Sequence, residues 1–306
     1  MAVALALLAS VLFGVQALLI DRALGADANG SALSVAAVVT AISAATLWGV
    51  VLVRHGVPSP PRPALLTPFV VAGVADPGLA RALFYEGIDR IGPSVASAVL
   101  AASPAVASVL AVFVLGEGLA AVEGLGVLLV VAGVATLQFA RPDDGVGDDT
   151  AADIDAVRRE LLGTSARDTL YPVAATLLLA GAFVVVKLGL QSYGDPLTAT
   201  AVTQTAALCA LVPLSVRSAR ERGAVRSTVR SPLVATLAGL VVAGGWYAMF
   251  ASLRVGSVVT VLPIVSTYPL VVVVATYALE RTVPRSPRML GAVVAVVVGA
   301  GAVRAA

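Results

Sequence analysis

Apolar residues run along the chain in ten blocks, near 2–20, 32–53, 64–85, 94–115, 122–140, 171–190, 196–216, 232–252, 257–279 and 288–305. Each block is long enough to cross a ~30 Å hydrocarbon layer, which takes about 20 residues of helix. The pattern predicts helices, because in a bilayer a helix satisfies its own backbone polar groups. Most junctions are short and carry Gly, Pro, Asp or Arg, residues that end helices. The junction from Arg141 to Asp168 is different. It holds Asp143, Asp144, Asp148, Asp149, Asp153 and Asp155, and reads as a solvated linker with a short surface helix around Ala156–Leu162. The expected organisation is a first five-helix repeat over 1–140, a polar linker over 141–170 and a second five-helix repeat over 171–306.

Composition agrees with this pattern. The chain has 306 residues, of which 59% are apolar and 12% charged, and its mean hydropathy is +0.98. A soluble domain is about 45–50% apolar and about 25% charged. So little polar surface cannot cover a water-soluble globule, which excludes a cytosolic enzyme, a nucleic-acid-binding module and a disordered scaffold. The first twenty residues lack a basic n-region and run straight to Asp21, so they read as a retained span rather than a cleaved signal. The expected fold is an all-α polytopic membrane protein of ten transmembrane helices, multi-pass in the plasma membrane.

Candidate chemistry narrows further. His55 is the one histidine and Cys209 the one cysteine, so neither a disulfide nor a His/Cys metal cluster can form within the chain. No Gly-x-x-x-x-Gly-Lys-Ser/Thr loop is present to cradle a nucleotide phosphate. No metal, cofactor or nucleic-acid partner is expected, and the protein does not read as an enzyme.

The two halves read as copies. In the first, Arg90-Ile91-Gly92 precedes a span that ends at Leu115-Gly116-Glu117, with Pro104 in its middle. In the second, Arg254-Val255-Gly256 precedes a span that ends at Leu279-Glu280, with Pro269 in its middle. A glycine-rich span follows each glutamate, with Gly124, Gly126 and Gly133, then Gly291, Gly299 and Gly301. An odd number of spans per copy turns the second upside down. Inverted repeats of this kind recur in secondary transporters, whose binding site lies near the midplane between them.

These motifs resemble the EamA family of the drug/metabolite transporter superfamily. The resemblance rests on Phe84-Tyr85-Glu86-Gly87-Ile88 to Gly92, Ser103-Pro104, Leu115-Gly116-Glu117 and Gly126/Gly133. In the second copy it rests on Tyr247, Leu253 to Gly256, Pro269, Leu279-Glu280 and Gly291/Gly299. It implies a ten-helix transporter of small organic solutes, two inverted repeats, and closing helices that can serve a homodimer contact. It leaves the substrate open. In one respect the chain departs from the family, which commonly carries basic residues after the first glutamate; here that loop has Glu117 and Glu123 and no cation.

Charge distribution bears on orientation. Arg54, Arg62, Arg254 and Arg304 fall on the side of the two termini, and the other fifteen arginines fall on the linker side or within the third span. The positive-inside rule then places the termini outside, opposite to the family's usual arrangement.

Ionisable groups at membrane depth cost ~2.5–3.5 kcal/mol on insertion scales and need partners or a cavity. The third block holds Asp76, Arg81 and Glu86, with Pro77-Gly78 directly after Asp76. The expectation is a helix break there, with Arg81 holding a substrate carboxylate or phosphate and Asp76 acting as counter-ion or proton carrier. The competing readings are a structural Asp76–Arg81 pair, or a span that starts late and leaves Arg81 at the interface. Tyr85 and Glu86 are candidates for the cavity mouth, against an interfacial role. Gly244-Gly245-Trp246-Tyr247 places two aromatics where they can stack on a ligand or simply pack. For Lys187, the one lysine, snorkelling to the headgroups is favoured over substrate contact. Gln16 and Gln204 are expected to hydrogen-bond between helices, with cavity lining as the alternative. Gly92, Pro104, Glu117, Gly256, Pro269 and Glu280 are expected to be structural: prolines as kinks, glutamates capping or tying the next helix. The function expected is a secondary transporter of a small anionic or zwitterionic, amino-acid-like metabolite, driven by protons or exchange. The alternatives are a membrane enzyme and a lipid-linked substrate flippase. Its partners are a small-molecule substrate and membrane lipids.

Overall fold

A computed structural model describes residues 1–24, 32–56, 63–139, 165–221, 231–280 and 287–305. Among the described residues every regular element is helical. The ten blocks become ten spans. The unbroken ones are the first (Ala2–Leu24), second (Ala32–His55), fifth (Ala121–Phe139), sixth (Ala166–Tyr193), seventh (Pro196–Glu221), eighth (Pro232–Val255) and tenth (Pro287–Ala305). The third, fourth and ninth are each broken. Outward-facing side chains are apolar, with Phe113 83% and Leu128 62% exposed, which is tenable where the surroundings are hydrocarbon. The acidic stretch and its expected helix at Ala156–Leu162 lie outside the described residues. The sixth span starts earlier than its apolar block, at Ala166, because the Ser165 hydroxyl accepts a hydrogen bond from the Arg167 amide and caps the helix.

Helix pairing displays the inverted symmetry. Like packs against like across the repeats: second with seventh, fourth with ninth, fifth with tenth. The first packs on the eighth and the third on the sixth, which are equivalent pairs. The fifth and tenth approach closely through glycine. A Cβ on Gly299 would lie 2.7 Å from the Gly126 carbonyl oxygen, and one on Gly133 would lie 2.6 Å from a Val296 methyl. These faces are filled from within the chain. Gly291 and Gly301 have nothing within 4 Å.

Proline sets the breaks. In the fourth span the helix Pro93–Ala101 ends at Ala102 and resumes at Ser103, with Pro104 in the new first turn. In the ninth, Val258–Val265 ends at Ser266-Thr267 and resumes at Tyr268, followed by Pro269. A proline lacks the amide that would continue the ladder and is tolerated in a first turn. The two breaks sit at the same place in the two copies. The glycines before these spans differ. Gly92 has φ 82°, which only glycine adopts freely. Gly256 is extended at φ −124°, and close packing demands it instead, because a Cβ would meet Ala2 at 2.7 Å.

Candidate functional site

The third span runs from Pro63 to Ile91 and is interrupted at Val74–Leu79. Asp76 has extended backbone angles (φ −145°, ψ 130°), as steric clash with the ring of a following proline dictates, and the Asp76–Pro77 peptide is cis. Irregular backbone at membrane depth persists only where protein buries it or a cavity accepts it. Here the seventh span covers it. A Cβ on Gly73 would collide with the Thr203 carbonyl, and one on Gly78 would lie 2.9 Å from the Ala210 methyl. The expected break is therefore present, and glycines on either side of Asp76 let the seventh span seat against it.

Asp76 is buried, with 9% of its surface exposed. Among the described residues it forms no ion pair within 4.0 Å, and Arg81 forms none either, so the competing reading of a direct Asp76–Arg81 pair does not hold. The Arg81 charge acts electrostatically on both Asp76 and Tyr268. Tyr268 opens the second half of the ninth span, so the Arg81 charge is felt at the break of the third span and at that of the ninth. Beside them, the Thr267 hydroxyl lies 2.9 Å from that of Ser10 and donates 2.7 Å to the Ile264 carbonyl, tying the ninth-span break to the first span.

Buried amides add to this interior. Gln204 is fully buried, and among the described residues neither its Oε1 nor its Nε2 has a hydrogen-bond partner; Gln16 Oε1 and Ser43 Oγ are likewise buried and without one there. The expectation that Gln16 and Gln204 bond between helices is overturned for Gln204 and for the Gln16 carbonyl. Unpaired buried polar groups cost ~1–3 kcal/mol each. Gln204 follows Thr203, which packs on Gly73, and precedes Thr205, whose hydroxyl accepts from Trp48 Nε1 at 2.9 Å.

The remaining candidates are placed elsewhere. Glu86 receives the Arg90 Nε hydrogen bond at 2.7 Å, Arg90 Nη1 reaches Asp168 Oδ1 at 2.9 Å, and the guanidinium lies 4.4 Å from the Tyr171 ring centroid. This exposed cluster ties the third span to the sixth at the linker face. Tyr85 is half-buried against Phe84. Trp246 is 7% exposed, with ring centroids of Phe13, Phe250 and Phe183 at 5.8, 6.1 and 6.4 Å, so it is core. Tyr247 lines a groove between the second, seventh and eighth spans.

Lys187 corrects the snorkelling expectation. Its Nζ turns inward and donates to the Leu253 and Gly256 carbonyls, both at 2.7 Å, at the carboxyl end of the eighth span. A cation there satisfies orphan carbonyls and complements the helix dipole. Glu117 performs the reciprocal task. Its carboxylate accepts the Val258 and Val259 amides at 2.9 and 3.1 Å, capping the amino end of the ninth span. Of the two expected roles it performs the cap, and on a helix of the other repeat rather than the one that follows it. The Glu280 side chain lies outside the described residues.

Sequence reasoning missed Tyr268 and Ser43. A Ser-Thr-Tyr run directly before the motif proline was the available signal for Tyr268. Ser43 had none.

The model of the EamA-like transporter family matches residues 1–138 and 169–302. A solved crystal structure, described only as that of a protein, superposes with a TM-score of 0.72, covering 98% of this chain and 95% of its own, at 18% identity. That likeness carries the fold alone. No curated protein matches the sequence.

Proposed function

The chain belongs to the EamA-like transporter family, and on that premise we propose a secondary transporter that carries a small zwitterionic or anionic organic metabolite by alternating access. The observation that carries this reading is the buried Asp76 at the break of the third span, with Arg81 near it and no ion pair between them. A carboxylate and a guanidinium held apart in a low-dielectric interior suit a solute bearing both charges, because each charge gains more from a counter-charge there than in water. Arg81 takes the solute carboxylate in a bidentate fork. Asp76 takes an ammonium group, or a proton when the solute lacks one. Tyr268 supplies a hydroxyl at the facing break, and Gln204 an amide. Coupling to protons or to solute exchange follows from the need to neutralise Asp76 when the site is empty.

We further place both termini outside the plasma membrane on the arginine distribution. A terminal tag reached by membrane-impermeant reagent in intact cells is the expected result; protection of the tag would reverse the orientation.

The direct test is a ligand screen by thermal shift on purified protein, followed by uptake into proteoliposomes. Amino-acid-like compounds are expected to raise Tm, and Arg81→Ala to abolish the shift while leaving the unliganded Tm within a few degrees. A compound class that binds equally to Arg81→Ala and Asp76→Asn proteins would remove the site from this break.

A further inference from the structure

A second region of the surface matches a different ligand. The groove between the second, seventh and eighth spans encloses about 280 Å³. Thr46, Val50 and Arg54 line it from the second span, Leu197 from the seventh, and Leu240 and Tyr247 from the eighth. Val50 and Leu240 are 42% and 46% exposed, so the groove opens sideways to the hydrocarbon rather than into the bundle. From Thr46 to Arg54 is eight residues of helix, about 12 Å of rise. That spans most of one leaflet, about half of the ~30 Å core.

Charge appears only where the groove meets the membrane surface. Arg54 stands in the last turn of the second span and forms no ion pair among the described residues. The nearby carboxylate, Asp195, accepts the Leu197 and Thr198 amides at 3.1 and 3.2 Å and faces His55 at 3.9 Å, so it is occupied. The Arg254 guanidinium lies on the other side of the same turn, 3.6 Å from where a Gly194 Cβ would be. Arg54 thus stands at the mouth of an apolar slot one leaflet deep, with Arg254 at the end of the eighth span on the same side. A guanidinium at headgroup level pairs with a phosphate, and the apolar slot accepts a hydrocarbon chain.

We propose that this groove is a binding site for one anionic phospholipid of the leaflet on the termini side. An acyl chain lies along Val50, Leu197 and Leu240, and the headgroup phosphate is held by Arg54. The site shares no residue with Asp76 and Arg81 and stands whether or not the transport reading does.

Native mass spectrometry of detergent-purified protein, offered phosphatidylglycerol or phosphatidylcholine with identical chains, tests it. Phosphatidylglycerol is expected to be retained at least several-fold better. Arg54→Gln should erase that preference and leave phosphatidylcholine retention unchanged. Val50→Phe, which fills the slot, should lower retention of both lipids. An unchanged melting profile in phosphatidylcholine shows that each variant is folded. Equal retention of the two lipids by the parent protein overturns the proposal, as does an undiminished preference in Arg54→Gln. Displacement of the lipid by millimolar inorganic phosphate would show a simple anion site and overturn the acyl-chain part.

Discussion

The third and eighth spans hold equivalent places in the two repeats, yet one is cut at mid-membrane and the other runs unbroken through Gly244-Gly245-Trp246. The fourth and ninth spans break together at matching prolines, so breaks as such belong to the shared frame. The third-span break belongs to one copy. Where the first copy has a buried carboxylate in extended backbone, the second has Leu240 in continuous helix. The ends of these spans differ in the same way. The offset from Gly92 to Gly256 is 164 positions, which sets Glu86 against Phe250. Arg90 is therefore gripped by Glu86 and Asp168, whereas Arg254 follows a turn of core aromatics. Duplication supplies a symmetric scaffold, and polar chemistry concentrates in one copy.

The most severe way to break this contrast is to make the third span resemble the eighth. Replacing Asp76 and Pro77 together by alanine restores a continuous ladder and removes the carboxylate. Uptake into proteoliposomes is expected to fall to background, while a single size-exclusion peak and helical circular dichroism persist. Transport at parental rates in that variant would show that the asymmetry is incidental. Asp76→Asn separates the charge from the break: uptake driven by a proton gradient should fall at least tenfold, while exchange between two pools of solute survives better.

Next in size are the caps that join the copies. Glu117→Gln weakens charge-assisted bonds to two amides and should cost about 2 kcal/mol, read as a lower denaturation midpoint. Lys187→Met leaves two carbonyls without their cation and should cost a similar ~1–3 kcal/mol. Because each caps a different end of one short loop, the double variant should fall short of additivity.

The smallest effect sharpens the comparison most. Arg90→Ala is expected to lower Tm slightly at low salt, with the difference shrinking as ionic strength rises, since exposed pairs are screened. The equivalent Arg254→Ala should leave Tm unchanged at any salt. Equal salt-dependent losses from both arginines would mean that the two faces are held alike.

Much of the frame could be read along the chain because its determinants are local. Twenty-residue apolar runs, Pro77 after Asp76, and Pro104 and Pro269 in mid-span act on backbone within a turn of themselves. The site was half legible. Asp76 and Arg81 stand out in hydrocarbon by charge alone, but their failure to pair depends on where the broken helix sends them. Lys187 and Glu117 were read through their sequence neighbourhoods, and their actual partners lie 66 to 142 positions away. Gln204 looked like glue between helices; it is fully buried with no partner among the described residues. Trp246 drew notice for its rarity, and rarity says nothing of the three phenyl rings that enclose it.

The Glu117 cap also has a consequence for biogenesis. The carboxylate is synthesised 141 residues before the first amide it will accept. Until the ninth span inserts, the nascent first half carries an uncapped acidic end at the membrane surface, and a half-chain made alone never loses it. Two genes encoding 1–140 and 165–306 should therefore yield protein only when expressed together, each fragment being cleared by quality control in the absence of the other.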